Sequence, residues 1–136
     1  MLRAHTVLTR AIDAELTRVC GLPLISFEVL VQVAGAPGGS LGMSDLARRV
    51  LLTPSGLSRR VDRLEQDGLL CRQASDEDGR AVRVAVTRRG TERMEEAART
   101  HVTVVRQRLL SALSEDEMMR LAALWVRVAG PGPGPG

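Results

Sequence analysis

Apolar residues along this chain recur mostly every three to four positions, the period of helices packed on one side. Leu2, His5, Leu8, Ile12, Leu16 and Val19 trace the first such stretch, and Gly21 and Pro23 stop it. A short helix is expected over Ser26–Ala34, with Ser26 as its cap. Residues 35–40 (Gly-Ala-Pro-Gly-Gly-Ser) read as a loop. A third helix is expected from Ser44 to Val50, turning Leu46, Ala47 and Val50 inward. Thr53-Pro54 then opens a fourth: Thr is a good N-cap, and proline at the first helical position has its φ already set. Asp67-Gly68 closes it, with Gly68 in the left-handed cap position.

The period then changes. Leu69–Gln73 reads as a strand, Asp76-Glu77-Asp78-Gly79 as a turn, and Ala81–Val86 as the alternating, β-branched return strand. Thr87 caps a long helix whose expected inward stripe is Met94, Ala98, His101, Val105, Leu109 and Ala112. Ser114-Glu115-Asp116-Glu117 has the form of a capping box, opening a last helix with Met118, Leu121, Ala122, Trp125 and Val128 on one side. The final Gly-Pro alternation from Gly130 to Gly136 cannot pack and is expected to be disordered.

Helix, helix, short turn, helix and hairpin in that order make a winged helix-turn-helix. The fold expected is therefore mainly α with a small β-hairpin wing. Residues 1–34 form N-terminal helices, 41–90 the winged unit, 91–129 C-terminal dimerisation helices, and 130–136 the tail.

Composition sharpens this picture. Phe27 and Trp125 are the only aromatic residues among 136, so the core is aliphatic and favours packed helices. The same scarcity argues against single-strand nucleic-acid binding, which needs stacking platforms. All 19 basic side chains are Arg, and the net charge is +3. A positive excess suits a polyanion. The arginine preference, however, is explained better by a GC-rich genome. Cys20 and Cys71 form no CxxC pair and no zinc pattern, so neither metal nor other cofactor is expected. With no leader pattern after Met1 and no membrane-length apolar run, the expected setting is the cytoplasm, with both thiols reduced.

The chemistry concentrates on the helix from Pro54. Leu57, Val61 and Leu64 share one face and belong inside. Ser55, Ser58, Arg59, Asp62, Arg63 and Gln66 lie opposite, offering donors and acceptors that suit base edges in a major groove. A solvated polar face would look the same, and the hairpin beside it shifts the balance. That hairpin carries Asp78-Gly79-Arg80 at its tip, with Arg72 and Arg83 on its strands. An arginine there suits the negative potential of a minor groove, and Asp78 could hold Arg80 in place. Gly56, in the first turn, suggests a close backbone approach to DNA or a neighbouring helix.

These residues resemble the MarR (multiple antibiotic resistance) regulators. The resemblance rests on Ser44-Asp45-Leu46-Ala47-Arg48-Arg49, on Thr53 through Glu65, on Gly68-Leu69-Leu70, on the wing stretch Asp78–Val84 with its D-x-R signature, and on Thr87-Arg88-Arg89-Gly90. It implies an α-helical homodimer with two winged units on a pseudo-palindromic DNA operator. Ser55, Ser58, Arg59 and Arg63 would face the major groove and Arg80 the minor groove, with Ser44, Thr53, Gly56 and Asp78 also on the DNA-binding surface. Where the family often has consecutive arginines at the wing tip, this chain has Gly79 before a single Arg80.

Terminal helices with an apolar side need a partner surface. The resemblance implies that they interlock across a two-fold axis, through Leu8, Ile12, Leu109, Leu121 and Trp125. Packing of Trp125 within its own subunit is the competing reading. The family also implies a small anionic or aromatic effector, and repression as the usual outcome. Two other readings stay open: a thiol-based sensor using Cys20, and a winged-helix protein-interaction module without DNA. No catalytic triad, paired-acid site or phosphate loop is present, so an enzyme is not expected.

Overall fold

The computed structural model describes residues 2–74 and 81–129. Among them are six α-helices and three strands: α1 (Leu2–Cys20), α2 (Leu24–Ala34), β1 (Ser40–Gly42), α3 (Met43–Val50), α4 (Pro54–Gln66), β2 (Leu70–Ala74), β3 (Val82–Val86), α5 (Arg88–Leu110) and α6 (Glu115–Ala129). A short 3₁₀ turn at Pro37–Gly39 precedes β1.

The capping chemistry works as expected in three of four places. Thr53 Oγ1 accepts from the Gly56 amide at 3.1 Å, and Thr87 Oγ1 from the Gly90 amide at 3.0 Å. At Ser114 both halves of the capping box form: the Ser114 amide donates to Glu117 Oε2 at 2.8 Å, and the Glu117 amide to Ser114 Oγ at 3.3 Å. Ser26 is the exception. It lies inside α2, buried, and the helix begins two residues earlier at Leu24. The first amide of α2 is instead satisfied from α1, where Asp13 Oδ1 accepts from Leu24 N at 2.9 Å. A carboxylate eleven residues upstream does the capping, and only the α1–α2 bend brings it there.

The sheet has the order β1-β3-β2, all antiparallel. Leu70 pairs with Val86, Arg72 with Val84 and Ala74 with Val82, the return expected of a wing. β1 was not legible as a strand, since Ser40 read as the end of a loop. It is three residues long and exists because β3 offers it an edge, with Leu41 opposite Val84. Both of those side chains are buried. The expected turn at 76–79, with Asp78 and Arg80, and the Gly-Pro tail lie outside the described residues.

The core is a single aliphatic cluster. Ile12, Leu16 and Cys20 of α1 meet Val29, Leu30 and Val33 of α2, and Leu46, Leu57, Val61 and Leu64 seal the winged unit beneath them. The α5 stripe is rotated from the expected one. Gly90, Ala97 and Val104 are its buried residues, while Met94, Ala98, His101 and Val105 flank that seam half-buried. Ala112 falls beyond the helix end and is exposed. Gly90 sits tight against the Leu69 carbonyl and Val86, α1 packs along α5, and these contacts together select the seam. Among the described residues no single helix is long and apolar enough to cross a membrane.

Candidate nucleic-acid interface

Helix α4 turns its Leu57, Val61 and Leu64 edge fully inward. Its outward side carries Ser55, Arg59, Asp62, Arg63 and Gln66, all exposed, with Ser58 and Gly56 half-buried at its margins. The amino end of α4 projects freely. Thr53, Pro54 and Ser55 are exposed, and Thr53 Oγ1 lies 3.4 Å from Ser55 Oγ. Ser44, in the first turn of α3, is exposed as well. The structure thus gathers Ser44, Thr53, Ser55, Ser58, Arg59 and Arg63 around one end and one side of the helix-turn-helix.

Gly56 has a local explanation. An added Cβ would lie 3.0 Å from Thr53 Oγ1, so the glycine makes room for the capping hydroxyl. The neighbour it approaches is its own cap, not another helix.

The arginines divide by what they touch. Arg59 is exposed and has no ion-pair or hydrogen-bond partner among the described residues. Arg63 Nε lies 3.5 Å from Asp67 Oδ2, a loose exposed pair worth little. Arg60 turns back, donating from Nη1 to the buried Ser26 Oγ at 3.3 Å. Arg72 and Arg83, read from sequence as part of the wing's positive potential, are both engaged within the chain. Arg72 reaches Asp62 Oδ1 at 2.6 Å and Glu65 Oε2 at 3.1 Å. The hydrogen bond to Asp62 chiefly, with the charge of both carboxylates, strengthens its hold on its proton. Arg83 donates to Ser40 Oγ at 3.2 Å and to the Ser40 carbonyl at 2.9 Å. Local spacing gave no sign of these partners, because each pair spans different elements.

The expected dimer residues are scattered. Ile12 is buried in the chain's own core, so little of its side chain is left for a partner. Leu8, Leu109 and Leu121 are half-buried and Trp125 is exposed. Sequence reading missed Leu110, Leu124 and Val126, which are exposed apolar residues on the same two helices. Cys20 is buried, with Sγ 3.6 Å from Thr100 Oγ1, and Cys71 is half-buried; both are free thiols. No group of His, Cys, Asp or Glu suited to a metal occurs among the described residues. An open hollow of about 720 Å³ between α3 and α4 is lined by Met43, Ala47, Leu51 and Leu52 among others, and is chiefly apolar.

A family model described as MarR family matches residues 21–81. The transcriptional regulator PecS of Dickeya dadantii is 31% identical over 128 residues, covering 93% of this chain and 75% of PecS. The chain belongs to the MarR family. Its likeness to other members is uneven in length. The transcriptional repressor MdtR of Bacillus subtilis is 33% identical over 91 residues, and that match spans 67% of this MarR-family chain but only 58% of MdtR. Sco3205 of Streptomyces coelicolor, a MarR-family transcriptional regulator solved in complex with DNA, superimposes with a TM-score of 0.83 at 32% identity. That match covers 98% of this chain and 84% of Sco3205. The fold class expected from sequence, a helical protein with a winged helix-turn-helix, is that of these relatives.

Proposed function

We propose that this MarR-family chain is a sequence-specific double-stranded-DNA-binding transcriptional regulator acting as a homodimer on a pseudo-palindromic operator. The observation that carries the reading is the outward side of α4. Hydroxyls and a guanidinium with no partner among the described residues stand beyond a sealed Leu-Val-Leu seam, at an exposed helix end. Ser44, Thr53 and Ser55 suit phosphate contact, and Ser58, Arg59 and Arg63 suit base edges. Asp78 and Arg80 are assigned to the wing's groove contact on the family resemblance alone.

In this reading the two α4 helices of the dimer sit about one DNA turn apart, roughly 34–36 Å. A small anionic or aromatic effector that changes the spacing releases the operator, so the regulator is a repressor relieved by ligand. The site of action is the cytoplasm, and no catalytic step is assigned. Burial of Cys20 supports ligand response over thiol sensing, because an enclosed thiol is poorly reached by an oxidant.

The test begins with selection of duplexes by the full chain from a random pool. Arg59→Ala should then weaken binding to the selected duplex by about 1–3 kcal/mol and relax preference at one position. Equal binding of wild type and variant to every altered duplex would reject the base-reading role.

A further inference from the structure

We propose that Arg72 is a positioning residue for DNA recognition: it fastens the first wing strand to α4 and withdraws two carboxylates from the phosphates. This inference rests on the DNA-binding reading above.

Arg72 stands on β2 and extends a planar two-pronged group to α4. Nη2 meets Asp62 at 2.6 Å and Nη1 meets Glu65 at 3.1 Å, carboxylates one helical turn apart. A lysine could not span both. Asp62 lies on the helix roughly 60° from Arg59 and beside Ser55 and Ser58. Without Arg72, an uncompensated carboxylate would border the residues assigned to the duplex and would repel its phosphates.

The strand is paired along its length with β3, but its outer half has few ties to α4. Leu70 is buried, but Arg72, Gln73 and Ala74 are all exposed, so Arg72 is the outermost link from β2 to α4 among the described residues. The other edge of the wing is laced in the same manner, by Arg83 on Ser40 of β1. On its opposite flank α4 is tied to α2 through Arg60 and Ser26. Helix and wing are therefore held at one offset by guanidinium links at their margins. A regulator that contacts a duplex with both parts needs that offset constant. The cluster is part-exposed, with the Arg72 side chain 31% accessible, so its removal should alter orientation more than global stability.

The experiment measures affinity of the full chain, across a salt series, for the duplex it selects from a random pool and for a scrambled duplex of equal composition. Arg72→Met should weaken binding to both by about tenfold through lost charge, and should lower the selected-to-scrambled ratio by about threefold more. Arg72→Met combined with Glu65→Gln restores the wild-type net charge of +3. That variant should recover scrambled-duplex affinity while its ratio stays low. Hydrogen exchange at β2 amides should quicken in both variants, with the α4 amides around Val61 unchanged. Arg72→Lys, which keeps the charge and the fold with one prong, should give an intermediate ratio. A wild-type ratio in the charge-matched variant, or unchanged β2 exchange, overturns the proposal. Failure of the wild-type protein to enrich any duplex overturns the DNA-binding reading instead, and this inference with it.

Discussion

A methyl group added at position 90 would lie 2.1 Å from the Leu69 carbonyl oxygen and 2.8 Å from Val86 Cγ1. Alanine is the better helix former by about 1 kcal/mol, so propensity alone favours Gly90→Ala. Sterics decide otherwise, because a backbone oxygen cannot swing aside. Gly90→Ala should lower unfolding stability by at least about 2 kcal/mol, read from urea denaturation. Leu51 presents the opposite case. It ends α3 in the left-handed region at φ +54° and is 91% exposed. A non-glycine residue there costs about 1–2 kcal/mol, against about 0.5–1 kcal/mol of extra chain entropy for glycine. Leu51→Gly sacrifices almost no burial and should raise stability by about 0.5–1 kcal/mol in the same assay. Little of this was visible beforehand. Leu51 sits in an unremarkable Leu-Leu pair, and Gly90 looks like any glycine in a first turn.

At the scale of elements, the helix starts were the most legible features, since a cap and its amide lie three residues apart. The capping box of α6 also makes a pH prediction. The Ser114 amide first, and then its hydroxyl, hold the Glu117 carboxyl below its ordinary value of 4.5. A lowered folded value means that the ionised carboxylate contributes fully above 4.5, and that the contribution is lost as pH falls through the folded value. Start-of-helix fraying in α6 should therefore appear on acidification. Trp125, the only tryptophan, lies on that helix and reports it by fluorescence. In Glu117→Gln the acid-induced component should disappear, leaving a weaker cap that no longer depends on pH. The α5 stripe was less legible. Its polar and apolar positions allow several faces, and contact with the wing at Gly90 and with α1 along the helix chose the one observed.

For the whole molecule, the chain's own core leaves α6 nearly unused. Met118 and Leu121 are half-buried, while Leu124, Trp125, Val126 and Val128 are exposed, Trp125 at 48% and Val128 at 75%. Leu2 and Val7 of α1 and Leu110 of α5 add to the exposed apolar area. Such a surface needs cover, and a second copy is the occupant proposed with the regulator's function. Leu121→Asp should sediment as a monomer and lose affinity for the selected duplex in parallel. A Leu121→Asp protein that remained dimeric would remove α6 from the interface. From sequence Ile12 belongs to that interface too, because helical periodicity identifies an apolar side without saying whether the same chain or a partner covers it.

Caps, helix ends, strand alternation and the Leu57-Val61-Leu64 seam depend on residues a few positions apart, so the order of elements and the outward side of α4 followed from the sequence. Tertiary structure alone settled what distant groups do. β1 became a strand by meeting β3, Asp13 capped a helix it does not belong to, and Ser26 became the acceptor for Arg60. Arg72 and Arg83, legible from sequence only as charges on the wing strands, became internal ties. A charged side chain seeks whichever opposite charge or hydrogen-bond partner the fold brings within reach, and that partner is fixed only when the elements have packed.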